Sequence, residues 1–140
     1  MFKKLLATGN HSSSTSFGLL LLRVGVGLMM LTHGYPKFLK LIEGNFQFGD
    51  PIGLGVEVSL TLAVLAEFVC SILLILGLFS RFALVPLLVT MAVALFVVHI
   101  SDPFGTQEKA AMYLLIFFFL FIAGPGKYSL DKKLFGKRTF

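Results

Sequence analysis

The chain has 140 residues, of which 56% are apolar and only 14% charged, with a mean hydropathy of +0.91 and a formal net charge of +5. Ordinary soluble domains carry about a quarter charged residues, and a chain this short leaves too much surface exposed to hide so many apolar side chains from water. A soluble catalytic module is therefore excluded, and lipid is the expected solvent. The single cysteine, Cys70, excludes an intrachain disulfide and a CxxC redox pair. The basic residues flank apolar runs and build no solvated basic face, which argues against nucleic acid as a partner.

In chain order, "MFKKLLATGNHSSSTS" opens with two lysines and little apolar sequence, so it is not expected to be a removable signal peptide. "SSSTS" (residues 12–16) offers N-caps for a first helix. Crossing the hydrocarbon layer takes roughly 20 mostly apolar residues, and four stretches qualify: 17–35, 56–78, 82–100 and 107–124. The fourth is apolar only from residue 110 and uses Gln107 to Lys109 as its interfacial end. The first span carries glycines at seven-residue spacing, Gly18/Gly25 and Gly27/Gly34, which suit close helix approach. Pro36 should end or kink it. "EGNFQFGDPIGLG" (Glu43 to Gly55) is the longest connection, rich in turn formers, and can lie across the outer mouth of the bundle. "GLFSRF" is a tight link that makes spans two and three antiparallel neighbours. The fold class that follows is all-α, an integral membrane four-helix bundle forming one domain over 1–140, with a basic tail at 125–140.

Lys3, Lys4, Arg81, Lys127, Lys132, Lys133, Lys137 and Arg138 fall on one side of this threading, against Lys37, Lys40 and Lys109 on the other. That asymmetry predicts both termini in the cytoplasm.

Ionisable groups within a span cost about 3 kcal/mol each on the insertion scale, so they are expected to face the bundle interior. Arg23 shares a face with Leu19, Gly27, Met30 and Gly34, and Glu67 shares one with Ala63, Cys70, Ser71 and Leu74. Small neighbours mark a helix contact, so Glu67 should point inward. By helix rise, Arg23 lies roughly 9–10 Å and Glu67 roughly 18–20 Å from the cytoplasmic ends. Arg23 either reaches Glu67 or snorkels to the headgroups. A second group, His33, Lys37, His99, Asp102 and Glu108, belongs near the outer mouth, where it can bind a polar head group or pass a proton. Lys37 and Glu108 also read as plain interfacial anchors. No HxxxH or ExxH spacing supports a metal site, so no metal is expected. Cys70 reads as a packing residue, and Met29, Met30 and "FFFLF" (residues 117–121) as lipid-facing or core filling.

Taken in order and spacing, "LRVGVGLMMLTHGYPKF", "AEFVCSILLILGLFSR", His99, "EKAAMYLLI" and "GPGKYSLD" resemble the DoxX family of small four-helix bacterial membrane proteins. The resemblance covers residues 19–130. It puts Arg23, His33, Gly34, Lys37, Glu67, Gly77, Arg81 and Glu108 on the family's characteristic positions. The chain departs from the family in having Cys70 and Ser71 where glycines often follow the helix-two glutamate.

The resemblance implies the bacterial inner membrane and a redox role. The family takes its name from a subunit of a thiosulfate:quinone oxidoreductase, and relatives are linked to membrane complexes handling oxidative or thiol stress. The sequence has no haem, flavin or nucleotide motif, so the implied mobile carrier is a quinone, with protein residues supplying hydrogen bonds and protons. The expected site is an intramembrane polar pocket built from Arg23, His33, Lys37, Glu67, His99 and Glu108. The expected partners are the bilayer and either another protein or further copies of the chain. The alternatives are a non-enzymatic component that stabilises a partner protein, or a small proton or solute pathway.

Overall fold

The computed structural model describes residues 8–136. The expectations for residues 1–7, and for residues 137–140 of the tail, lie outside the described residues. Four long helices pack antiparallel in sequence: α1 (Ser13–Ile42), α2 (Val56–Leu76), α3 (Ser80–Val98) and α4 (Phe104–Ala123). A short α5 (Leu130–Phe135) follows. There is no strand among the described residues. Each long helix is long and apolar enough to cross a membrane, and at most half of its most apolar stretch is buried inside the protein. The exposed remainder, including Leu21, Leu28, Leu62, Leu115, Phe118 and Ile122, is where lipid is required.

Ser12 caps α1, its hydroxyl oxygen accepting from the Thr15 N–H at 3.1 Å. Of the two outcomes expected at Pro36, an end or a kink, the helix does not end there. α1 runs on to Ile42, about 45 Å in all. The missing Pro36 N–H costs one helical bond, and the following turn is held by α2 instead: the Phe38 and Phe68 rings stack at 4.5 Å, and Lys37 pairs with Glu67. The long connection covers 43–55, as expected. Asp50 closes it by accepting from the N–H groups of Leu54 and Gly55, both at 2.9 Å, and from the Ser59 hydroxyl at 2.8 Å. These donors, Ser59 first, hold the Asp50 carboxyl below the usual carboxylate range.

Of the two glycine pairs, only Gly27/Gly34 serves helix contact. A Cβ at Gly34 would lie 2.5 Å from the backbone carbonyl of Glu67, and one at Gly27 would meet the Ile75 side chain. Gly18 and Gly25 have nothing within 4 Å. The Met and Phe runs divide by helical phase: Met30, Phe117 and Leu120 join the core with Leu19, Val26, Leu74, Leu84 and Leu87, while Met29, Phe118 and Phe119 face outward.

Two helices depart from α geometry. α2 widens to a π-helix over Leu65–Cys70, and α3 does so over Ala94–Val98. Such insertions re-aim side chains and recur at functional sites. Here one carries Glu67 and the other ends immediately before His99.

Candidate functional site

All four long helices contribute to a cavity of about 420 Å³ near the loop end of the bundle. α1 supplies Met30, His33 and Lys37, α2 supplies Glu67, and α3 with its C-cap supplies Met91, Ala94 and His99. From α4 come Gly105, Thr106, Lys109, Ala110 and Tyr113, whose spacing traces a single helical stripe. A second cavity of about 300 Å³ lies between α2, α3 and the 43–55 loop. Its lining is mostly apolar: Phe48, Pro51 and Ile52 from the loop, Leu62 and Ala63 from α2, and Val89, Val93 and Val98 from α3. The two cavities share Lys37, Glu67, Ala94 and His99.

The shared wall is built on an ion pair. Lys37 Nζ donates to both carboxylate oxygens of Glu67 at 2.5 Å. Glu67 is 3% exposed, so the carboxylate does face the interior. Its buried charge requires a partner at hydrogen-bonding distance. That partner is Lys37, not Arg23. Side chains tilt toward the N-terminus of their own helix. On α1 this brings Lys37 back down toward Glu67 and sends Arg23 away from it, while on antiparallel α2 it tilts Glu67 up toward Lys37. The Lys37 ammonium also lies 5.7 Å from the centroid of the Phe48 ring, within cation–π reach. The His33 and Tyr113 rings stand perpendicular with centroids 6.0 Å apart, and Tyr113 stacks on Phe117. His99 Nδ1 bonds the Asp102 carboxylate at 2.7 Å.

Two predicted members fall outside the site. Glu108 is exposed and lines neither cavity. One residue along α4 is a turn of about 100°, which puts Lys109 on the cavity stripe in its place. Arg23, at 1% exposure, neither pairs with Glu67 nor snorkels. It donates to the carbonyls of Pro125 at 2.7 Å and Tyr128 at 2.8 Å. Arg81 likewise donates to the carbonyls of Phe121 and Ile122. Arg81 thereby satisfies carbonyls left open at the end of α4, and Arg23 fastens the segment that follows, 124–131, under the bundle.

Sequence reasoning missed Asp131 in this fastening. The buried Asp131 carboxylate accepts from the N–H groups of Phe79 at 2.7 Å and Ser80 at 2.9 Å. It thereby caps α3 and holds Phe79 in the left-handed region at φ 47°. Gly77, at φ 68°, closes α2 with the paired Leu78-to-Leu73 and Gly77-to-Leu74 bonds. A Cβ there would lie 2.6 Å from Arg23 Nη1. An aspartate in the short segment beyond Gly124, where α4 ends, has no periodic signature, so only the "GPGKYSLD" resemblance pointed to this part of the chain. Among the described residues no three His, Cys, Asp or Glu side chains converge as a metal site would need.

The DoxX family model matches residues 18–100. The chain belongs to the DoxX family. A protein of Haemophilus influenzae is 39% identical over 127 residues, covering 83% of this chain and 90% of its own. A Bacillus subtilis protein named "Putative oxidoreductase CatD" is 33% identical over 130 residues, covering 91% of this chain and 96% of its own. The "Inner membrane protein YphA" of Escherichia coli is 29% identical over 125 residues, covering 82% and 89%. No solved structure gives a significant match. This DoxX chain is thus a multi-pass bacterial membrane protein. At its departure from the family's glycines, Ser71 is fully buried and its carbonyl lies 3.4 Å from where a Gly27 Cβ would stand. Close packing survives there because α1 supplies the glycine.

Proposed function

We propose that this DoxX protein binds a quinone-type ligand across its two cavities and serves as the membrane subunit of a redox complex. The observation that carries the reading is the Lys37–Glu67 pair, its carboxylate buried, on the wall between a cavity of mixed polarity and a mostly apolar one. A quinone has the matching division: a ring with two carbonyl acceptors and an apolar tail. His33, Lys37, His99, Lys109 and Tyr113 are donors for the carbonyls. Phe48, Ile52, Leu62, Val89 and Val98 form the apolar bed for the tail. Volumes of about 420 and 300 Å³ fall in the range of sites that enclose small organic ligands. The oxidoreductase wording in the name of the B. subtilis relative supports the same class of chemistry.

A bound quinone would supply two-electron carrier chemistry, and the protein's part is to bind, orient and exchange protons. Lys37 and Glu67 fix the ring end, and the loop residues Phe48, Pro51 and Ile52 cover the tail. The basic asymmetry favours the termini in the cytoplasm, which turns the cavities toward the outer face.

The test is organic extraction of the protein purified from its own membrane, followed by thermal-shift titration with a short-tailed benzoquinone and a short-tailed naphthoquinone. Co-purifying quinone, and a stabilising shift that E67Q removes, are expected. The absence of both would reject the reading. E67Q would then affect folding or assembly alone, as a purely structural membrane component requires.

A further inference from the structure

The His99–Asp102 contact has a use that the ion pair beside it does not. His99 follows the π-turn of α3, its N–H bonded to the Ala94 carbonyl at 2.9 Å. The Asp102 N–H returns to the His99 carbonyl at 3.0 Å. Gln107 Nε2 donates to the carbonyls of Asp102 and Ile100. This short loop is therefore tied down at several points, and it presents the Asp102 carboxylate to His99 Nδ1 at 2.7 Å. A carboxylate on Nδ1 fixes that nitrogen as the N–H. Nε2 is then the ring atom available to the two cavities that His99 lines. The side chain of Asp102 is 43% exposed, so the pair joins the shared wall to water at the loop end.

The other charged or titratable groups facing these cavities are His33 and Lys37 from α1, Glu67 from α2, and Lys109 and Tyr113 from α4. Lys37 Nζ already donates to both Glu67 carboxylate oxygens and keeps its charge beside that carboxylate. Of the four residues common to both cavities, His99 is the imidazole, the side-chain type whose charge changes in the physiological range. It stands where the proposed ring must lie.

We infer that the His99–Asp102 pair is the proton-linked contact for the ligand and exchanges its proton with loop-side water; this rests on the quinone reading. Neutral His99 offers a lone pair at Nε2 and accepts from a quinol hydroxyl. Protonated His99 offers an N–H and donates to a quinone carbonyl. The two redox forms of one ligand therefore respond to pH in opposite directions. Quinone tightens on acidification and quinol tightens on alkalinisation. One linked proton sets the limit at about tenfold in Kd per pH unit.

The experiment measures binding of decyl-tailed ubiquinone and its quinol to the full chain in lipid nanodiscs, by equilibrium dialysis between about pH 5 and 8. Opposite slopes are expected for the unaltered protein. Flat profiles are expected for H99N, which keeps a hydrogen-bonding amide without a titrating ring. Shallower slopes are expected for D102N, which no longer fixes the tautomer. Binding without a slope, or slopes that persist in H99N, overturns the inference and leaves the quinone reading standing. No binding of either form at any pH removes both. An independent readout is the ¹⁵N spectrum of the His99 ring in the unaltered protein. A neutral ring carrying its proton on Nδ1 is expected, and a proton on Nε2 overturns the assignment.

Discussion

The contact between Gly34 and the π-turn of α2 can be tested by adding a single methyl group. A Cβ at residue 34 would stand 2.5 Å from the carbonyl carbon and oxygen of Glu67 and 2.7 Å from the Phe68 nitrogen, where ordinary contact begins at 3.4 Å. All three atoms are backbone, so no rotamer change relieves the clash and the helices must part by about 1 Å. Overpacking of this kind costs about 1–3 kcal/mol. The gain in helix propensity from glycine to alanine returns up to about 1 kcal/mol, so G34A should be destabilised by up to about 2 kcal/mol net, and by about 1–3 kcal/mol relative to G25A, which has the same gain without the clash. At this chain length that is about 3–5 °C in Tm for each kcal/mol. G25A is the control, with nothing within 4 Å of the new methyl, and should be neutral or slightly stabilised. G27A should fall between them, because its obstacle at 2.6 Å is the Ile75 side chain, which can rotate. Thermal unfolding of the three variants in one detergent, followed by circular dichroism, reads the order directly. If G34A melts with G25A, then α1 and α2 do not approach at residues 34 and 67, and the geometry of the Glu67 site is wrong.

Three further outcomes follow from named contacts. K37M strands a carboxylate that is 3% exposed and should cost about 3 kcal/mol; the K37M/E67L double variant should recover much of that loss in folded yield, and a double variant no better than K37M would break the pairing. R23K keeps the charge but cannot hold the Pro125 and Tyr128 carbonyls together, so hydrogen exchange should rise across residues 124–131 while the loop end is unchanged; unaltered exchange there would refute the fastening. Because donors from Ser59, Gly55 and Leu54 depress the Asp50 carboxyl, the order it confers is present above the ordinary aspartate value of about 3.9 and is lost as pH falls through its lower folded value. The Leu54 and Gly55 amides should then exchange faster relative to unfolded rates only in strong acid, and in D50N they should show no such pH step.

Much of this protein could be read without coordinates, because lipid imposes a simple rule: a helix must hide its own backbone bonds and expose apolar side chains over a fixed length. Four spans, their antiparallel order and the inward turn of Glu67 all follow from that rule. So does the gathering of His33, Lys37 and His99 at one end, since depth along a helix is counted residue by residue. The counting failed where direction mattered. Arg23 and Glu67 lie on neighbouring helices, but their side chains lean apart, and Lys37 leans toward Glu67 from the other side. Glu108 and Lys109 are adjacent in sequence and both exposed, and one rotational step along α4 decides which of them lines the cavity.

Other features leave no trace in periodicity. The helix continues through Pro36 because α2 supplies the contacts that hold the next turn. The π-turns at Leu65–Cys70 and Ala94–Val98 carry no sequence signature in hydropathy or spacing. Asp131 finds the amides of Phe79 and Ser80 across 52 and 51 residues of chain. Hydropathy is a property each residue carries alone and is legible along a line; a counter-ion, a cap or a cavity wall belongs to pairs of residues, and exists only once packing has brought their atoms within bonding distance.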